Sequence, residues 1–159
     1  MVRFARTALR ETFEETGLLV GGPLGPEAPD AGPHGPATAE IWRAYARAGL
    51  APAFSMLSLV ARAVTPAVSP IRFHTRFFRA DGDAARGELT GNGELEDLHW
   101  VRAEDTARLP MSTVTALVLR EALAHGAAGR EARRPAAFFR WVGDAQRPRH
   151  TAAQAPRRA

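Results

Sequence analysis

The segment from Gly21 to Ala37 most constrains how this chain can fold, because it contains five glycines and five prolines. Proline removes a backbone donor and glycine loses much conformational entropy on folding, so the segment cannot sustain a helix or a central strand. We therefore predict a loop or an insertion here. The chain has 159 residues, 45% of them hydrophobic, which is enough for one domain with one sizeable core.

All 21 basic residues are arginine, and their distribution along the chain is uneven. Residues 120–159 carry nine arginines against three acids, whereas residues 1–119 carry twelve against fourteen. The excess positive charge is therefore a C-terminal feature, and it raises nucleic-acid binding as one hypothesis. We rank this hypothesis last and do not expect a nucleic-acid partner, because the region contains no recognisable recognition motif.

The absence of cysteine excludes a disulfide framework, a zinc site made of thiolates and a cysteine nucleophile. Any metal ion must therefore bind to oxygen or nitrogen ligands.

The longest apolar run, from Ala53 to Ala61, is too short to cross a bilayer, and the residues after Met1 do not form a secretory signal. The sequence thus predicts a cytoplasmic protein without a membrane partner, and it leaves a homo-oligomer open.

Residues 4–16 are predicted to form one amphipathic helix that ends at Gly17, a residue suited to the left-handed conformation just past a helix. An apolar flank around Leu9 and Phe13 can be buried. At about 100° per residue, four charged residues share one face of the helix: Arg10, Glu11, Glu14 and Glu15. The carboxylates are therefore expected on the side away from the core.

The rest of the chain is predicted to alternate short strands with further helices, which is typical of an α/β chain of the α+β type. The predicted strands are 18–20, 59–64, 71–80 and 94–102. The predicted helices are 39–50, 104–109 and a longer one that Ser112 caps and that runs to residue 126. Residues 81–93 are predicted to form an exposed loop.

We place one domain at 1–126 and a basic C-terminal extension at 127–159. In the extension, residues 138, 139, 141 and 142 are predicted to dock on the domain, and residues 146–159 are predicted to be disordered.

The acidic helix face has two interpretations. Like charges at these spacings oppose one another by a few tenths of a kcal/mol per pair, and Arg10 can compensate through its i,i+4 relation to Glu14. The face would then be a solvated surface with one ion pair. Alternatively, the carboxylates form a site for hard divalent cations such as Mg²⁺ or Mn²⁺, which prefer carboxylate oxygens and share them with substrate phosphates.

The string Arg10-Glu11-Thr12-Phe13-Glu14-Glu15-Thr16-Gly17-Leu18 resembles the second half of the Nudix box, written G-x5-E-x7-R-E-U-x-E-E-x-G-U with U aliphatic. Thr12 is the one departure from that half. Segments 65–78 and 94–101 also resemble the branch that contains the coenzyme A diphosphatases, and the similarity runs from about Ala8 to about Leu123. Six residues occupy defining positions of the box: Arg10, Glu11, Glu14, Glu15, Gly17 and Leu18.

The first half of the box is absent from this sequence. Its glutamate falls at Val2, and its glycine would precede Met1. The resemblance therefore implies a Nudix fold, a mixed sheet flanked by helices, whose N-terminal part is missing. It leaves two functions open: a Nudix-type diphosphohydrolase, and a catalytically impaired module that binds a ligand or regulates.

For the hydrolase, the resemblance implies metal-dependent cleavage of a diphosphate linkage in a nucleoside diphosphate joined to another moiety, with coenzyme A or an acyl-CoA suggested by the branch. Mg²⁺ or Mn²⁺ is the implied cofactor, and the partner is this small-molecule nucleoside diphosphate derivative. Glu11 and Glu15 are the implied direct metal ligands, and Glu14 is a third ligand or orients metal-bound water. Arg10 is implied to pair with a carboxylate and thereby to fix the helix. The catalytic residues that the resemblance implies are Arg10, Glu11 and Glu14.

Two further pairs of residues are candidates for the reaction. The general base varies between members of the family, so the resemblance leaves open either Glu11 or an acid of segment 81–97. Glu94 and Glu96 are our candidates in that segment, with solvation of a loop as the alternative. Arg72 and Arg76 share one face of a predicted strand and are candidates for contact with substrate phosphates, although exposed arginines on a strand are ordinary.

Overall fold

The computed structural model describes residues 2–24, 39–65, 70–127, 134–140 and 149–152. These residues form an α+β fold with α-helices and two small sheets. The helices are α1 Val2–Thr16, α2 Ala39–Arg47 and α3 Thr113–Ala127. The strands are β1 Leu19–Pro23, β2 Leu50–Pro52, β3 Ser58–Val64, β4 His74–Arg79, β5 Ala85–Arg86, β6 Ala137–Arg140 and β7 Arg149–Ala152. In this part of the chain no helix is long and apolar enough to cross a membrane.

The chain divides into two compact units. The first comprises Met1–Leu57 and Ala80–Trp100, and the second comprises Ser58–Arg79 and Val101–Ala159. Each unit therefore contains two separate stretches of sequence, and each has its own sheet and its own apolar core.

The first unit has an antiparallel sheet in the order β2-β1-β5, accompanied by α1 and α2. Tyr45 lies in its core, where its hydroxyl donates a hydrogen bond of 2.8 Å to the Val20 carbonyl oxygen. Burial raises the pKa of Tyr45 to about 12. The core brings together buried residues from both helices and from the sheet: Leu9, Leu19, Val20, Ile41, Trp42, Ala44, Tyr45 and Ala84.

The glycine-rich segment begins inside this sheet. Gly21 pairs with Pro52, and Pro23 pairs with Leu50, so β1 is a central strand and the prediction that this segment cannot form one was wrong for its first residues. A Cβ at Gly21 would lie 2.6 Å from the Ala51 carbonyl oxygen and 3.0 Å from the Tyr45 ring, so glycine permits this close packing. The rest of the predicted loop, from residue 25, lies outside the described residues.

The helix predicted at 39–50 is α2, which is three residues shorter because it ends at Arg47. Gly49 follows with φ of +63°, and Leu50 begins β2. A residue in the left-handed region stops a helix, so the local glycine signal overrides the apolar spacing that Leu50 continues.

The second unit has a mixed sheet in the order β4-β3-β6-β7. Strand β3 is antiparallel to β4 and parallel to β6, and β6 is antiparallel to β7. Helix α3 packs on one face of this sheet, and the Ser112 hydroxyl accepts a hydrogen bond of 3.2 Å from the Thr115 amide, which confirms the predicted cap. The residues of this core are Val60, Ala61, Ala63, Ala137 and Phe139, with Phe77, Leu117, Val118 and Ala122 packed against them.

The C-terminal extension contributes two strands to this sheet. Phe139 is fully buried in β6, so its predicted docking is confirmed, and Phe138 lies beside it in the same strand. The prediction of disorder was wrong for Arg149–Ala152, which pair with β6 as β7. Trp141, Val142 and the rest of residues 128–133, 141–148 and 153–159 lie outside the described ranges.

The strand predicted at 94–102 is not formed. Asp97 has φ of +54°, and its carbonyl oxygen accepts a hydrogen bond of 2.7 Å from His99 Nδ1. The Glu94 amide donates to Asn92 Oδ1 at 2.9 Å. These local bonds satisfy backbone groups that a sheet would otherwise pair, and Trp100 is 68% exposed.

The neighbouring predictions are confirmed in part. The strand predicted at 71–80 is shorter and spans His74–Arg79, and the helix predicted at 104–109 is the 3₁₀ helix Ala103–Arg108. The loop predicted at 81–93 contains a 3₁₀ turn and β5, and its Ala84 is buried.

Candidate functional site

Helix α1 holds the acidic residues on the side away from the core of the first unit. Ala5 and Leu9 are buried, and Phe13 packs against the core from the next turn. These residues recur at helical spacing, so the opposite side of α1 is left to its charged residues. The predicted orientation of the helix is therefore confirmed.

Arg10 lies between two of the three carboxylates. Its Nη2 is paired with Glu11 Oε1, and its Nη1 lies 3.5 Å from Glu14 Oε2. The side chains of Glu11 and Glu14 remain 46% and 39% exposed. Among the described residues, Glu15 has neither an ion pair nor a hydrogen bond through its carboxylate. The cluster thus has two carboxylates held by one guanidinium and a third that is unengaged.

The charges of this cluster do not cancel. Three carboxylates accompany one guanidinium, so with every group ionised these four residues carry a net charge of −2. Oxygen ligands of this kind are the ones that Mg²⁺ and Mn²⁺ prefer. The donor chemistry therefore fits one divalent cation. In the described part of the chain, no three His, Asp or Glu side chains already lie together as a metal-binding group.

The end of α1 is fastened to the segment that follows β5. Gly17 has φ of +75°, and its amide donates a hydrogen bond of 2.8 Å to the Phe13 carbonyl oxygen, which closes the last turn. The Thr90 amide donates to the Thr16 carbonyl oxygen at 3.0 Å. A Cβ at Gly17 would lie 2.3 Å from Thr90 Oγ1 and 2.8 Å from the Glu88 carbonyl oxygen. Glycine is therefore required here both by the backbone conformation and by the contact.

Glu94 and Glu96 lie on the loop that begins at this contact. Gly91 also comes close to α1, because a Cβ there would lie 3.8 Å from the Glu15 carbonyl oxygen. Both candidate bases are exposed. The structure thus brings the start of their loop to the end of α1, and the loop leaves their side chains open to solvent.

The anchoring of this loop through Thr90 was missed by sequence reasoning. The spacing of Gly87, Gly91 and Gly93 was the available signal, because Gly87 also approaches Gly17: a Cβ there would lie 2.9 Å from the Gly17 carbonyl oxygen. Gly87 thus allows two backbone segments to come into contact.

Arg72 and Arg76 belong to the second unit, whereas the acidic cluster belongs to the first. Arg72 is exposed and precedes β4, so the predicted strand does not extend to it. Arg76 lies within β4 opposite Arg62 of β3. The two arginines therefore do not share the regular strand face that the sequence predicted.

Comparisons of the chain with known protein families, with curated proteins and with solved structures found no match. The case for a functional site therefore depends on the chemistry and geometry of α1, Gly17 and the loop from Gly87.

Proposed function

We propose that this chain is a divalent-metal-dependent hydrolase of the Nudix type, with a Nudix fold, which cleaves a diphosphate linkage in a nucleoside diphosphate derivative. The observation that carries the proposal is the half-buried cluster of Glu11, Glu14 and Glu15 around Arg10 on α1. Diphosphate esters are polyanions, and an acidic face can bind one only together with a cation. Three carboxylates beside one arginine provide the ligands for such a cation.

The three carboxylates have different parts in the proposal. Glu15 is unengaged and is the first ligand for Mg²⁺ or Mn²⁺, with Glu11 as the second. Glu14 is a third ligand or orients water. Arg10 holds Glu11 and Glu14 at adjacent positions before a ligand arrives, which lowers the ordering cost of binding. When bound, a divalent cation supplies positive charge at the diphosphate and makes water a better nucleophile.

Glu94 or Glu96 accepts the proton of the attacking water in this proposal. Both carboxylates are exposed, and the hydrogen bond from Thr90 to Thr16 fixes the start of their loop at the end of α1. The water oxygen attacks one phosphorus, the bridging oxygen leaves with the other, and two phosphorylated products result. Coenzyme A or an acyl-CoA is the proposed substrate.

Hydrolysis tests this proposal directly. The chain would be incubated with coenzyme A, acetyl-CoA and ADP-ribose, with Mg²⁺ or Mn²⁺, and the products identified by mass spectrometry. We expect Glu14→Gln and Glu15→Gln each to abolish turnover. Both side chains face away from the core, so urea unfolding should show a loss of about 0.5 kcal/mol or less, as for other surface changes.

The matched control is Glu40→Gln, which removes an exposed carboxylate from the first turn of α2 in the same unit. Its turnover should equal that of the unchanged chain. Retained activity in both cluster variants would refute the metal-site assignment. Substrate binding by calorimetry without any cleavage would instead favour the ligand-binding module.

A further inference from the structure

The last turn of α3 places a histidine on the face of the helix that packs on the sheet of the second unit. Leu117, Val118 and Ala122 pack against the core of this unit. His125 follows Val118 by seven residues and Ala122 by three, so helical spacing puts it on the same face, where it is half-buried. The apolar face of α3 therefore ends in an imidazole, a group that can take up a proton between pH 5 and 8.

The two ring nitrogens of His125 have different surroundings. One of them forms a hydrogen bond with the backbone of Pro135, which lies two residues before the start of β6. Proline has no backbone N–H, so its carbonyl oxygen accepts this bond and the ring donates it. Nε2 is inaccessible to solvent and has no hydrogen-bond partner among the described residues. The donor is therefore Nδ1, and a neutral ring protonated at Nδ1 leaves no N–H buried at Nε2.

Charged groups from three parts of the unit face this ring. Arg79 of β4 lies against the last turn of α3, because a Cβ at Gly126 would lie 3.1 Å from Arg79 Nη2. Arg134 precedes β6, and Glu121 lies one turn earlier on α3. Burial first, and then the charges of Arg134 and Arg79, lower the pKa of His125, whereas Glu121 and the backbone hydrogen bond oppose this shift. The net shift is downward, so the ring is neutral at pH 7.

We propose that His125 is an acid-sensitive switch at the junction between the end of α3 and the start of β6. A proton added at Nε2 creates a buried N–H donor without an acceptor and a positive charge in a half-buried place, and both cost free energy. The ring then moves into solvent, its bond to Pro135 breaks, and the last turn of α3 separates from the start of β6. Because β6 pairs with both β3 and β7, this junction controls how firmly the C-terminal strands are held. The switch uses none of the residues proposed for hydrolysis.

The test is amide hydrogen exchange of the full chain, followed by mass spectrometry at pH 7 and pH 5 and corrected for the intrinsic exchange rate at each pH. The pKa of His125 in the open form returns to the ordinary value of 6.5, so the open form binds more protons and acid favours opening. This pKa limits the rise in the opening equilibrium constant between pH 7 and pH 5 to about 25-fold. We expect a several-fold rise, within this limit, at the end of α3 and in β6, and no comparable rise in β1 of the first unit.

His125→Gln removes the titrating ring, so exchange at the end of α3 should then lose its response to acid. The matched control is His74→Gln, which removes an exposed histidine of β4 in the same unit whose pKa is also lowered. It should keep the response. Where His125→Gln fails to fold, NMR titration of the unchanged chain keeps the test valid, because the His125 ring should titrate below pH 6.5 and carry its neutral-form proton on Nδ1.

Three results would overturn the proposal. The same acid response in His125→Gln and in the unchanged chain would assign the opening to other groups. Equal exchange at pH 7 and pH 5 at the end of α3 would show that the junction does not open. A His125 ring that titrates at pH 6.5 or above would show that its proton costs nothing in the folded chain. Glu15→Gln should keep the acid response, so this outcome is independent of the hydrolase proposal.

Discussion

Replacing Gly17 by alanine should destabilise the protein more than the same change at Gly49. Both glycines have positive φ, +75° and +63°, so alanine incurs the left-handed penalty of about 1–2 kcal/mol at each. At Gly49 the new Cβ would meet nothing within 4 Å. At Gly17 it would overlap Thr90 Oγ1 and the Glu88 carbonyl oxygen, and overpacking of this kind adds about 1–3 kcal/mol.

Urea unfolding of both variants measures the difference. We expect a loss of about 1–2 kcal/mol for Gly49→Ala and about 2–5 kcal/mol for Gly17→Ala. The excess at Gly17 should shrink when Thr90→Ala is added, because this removes the nearer of the two overlapping atoms. The Glu88 carbonyl oxygen stays, so the rescue should be partial.

The loop contact also links this change to the candidate site. Gly17→Ala must displace the segment around Thr90, from which the chain continues to Glu94 and Glu96. Equal losses at Gly17 and Gly49 would refute the reasoning, since the contact with Thr90 and Glu88 would then cost nothing. A full rescue by Thr90→Ala would contradict the part assigned to Glu88.

Two further predictions concern stability. Tyr45 is the only tyrosine, and lysine and cysteine are absent, so no other side chain titrates between pH 10 and about 12. Its pKa is raised in the folded chain, so its contribution to stability is fully present below pH 10. The free energy of unfolding should fall by about 2–3 kcal/mol as pH rises towards 12. Urea unfolding across this range should show the fall in the unchanged chain and not in Tyr45→Phe. Ser112→Ala should lower the free energy of unfolding by about 1 kcal/mol through loss of the bond to Thr115, whereas Ser112→Thr should keep most of it; equal losses in both would contradict capping.

The parts of the fold that were predicted correctly depend on local chemistry. Helix α1 could be predicted to its last residue because amphipathic spacing and the Gly17 stop agree. The cap of α3 could be predicted because a serine hydroxyl reaches the Thr115 amide within its own turn. These signals need no knowledge of distant residues.

Two of the errors arose where distant residues decide the structure, and a third arose from competing local bonds. Gly21 is in a central strand because Ala51 and Tyr45 lie close to it, and neither is its neighbour in sequence. Residues 94–102 alternate weakly, but Asn92 and Asp97 offer backbone bonds that compete with a sheet. Residues 149–152 looked too polar for a core, and pairing with β6 was not visible in their composition.

For the candidate site, the sequence identified the four charged residues of α1 and their common face. The ion pairs of Arg10 with Glu11 and Glu14 follow from that spacing. The approach of Thr90 to the end of α1 could not be predicted, because it depends on β1 and β5 pairing across many intervening residues.

The order of strands in the second unit also bears on how the chain folds as it leaves the ribosome. Strand β3 lies between β4 and β6, yet β6 is synthesised more than seventy residues after β3. Until β6 arrives, one edge of β3 exposes unpaired backbone groups, which invite pairing with another chain. The nascent protein therefore passes through a stage that is prone to aggregation, and shielding by a chaperone would matter most before Ala137 emerges.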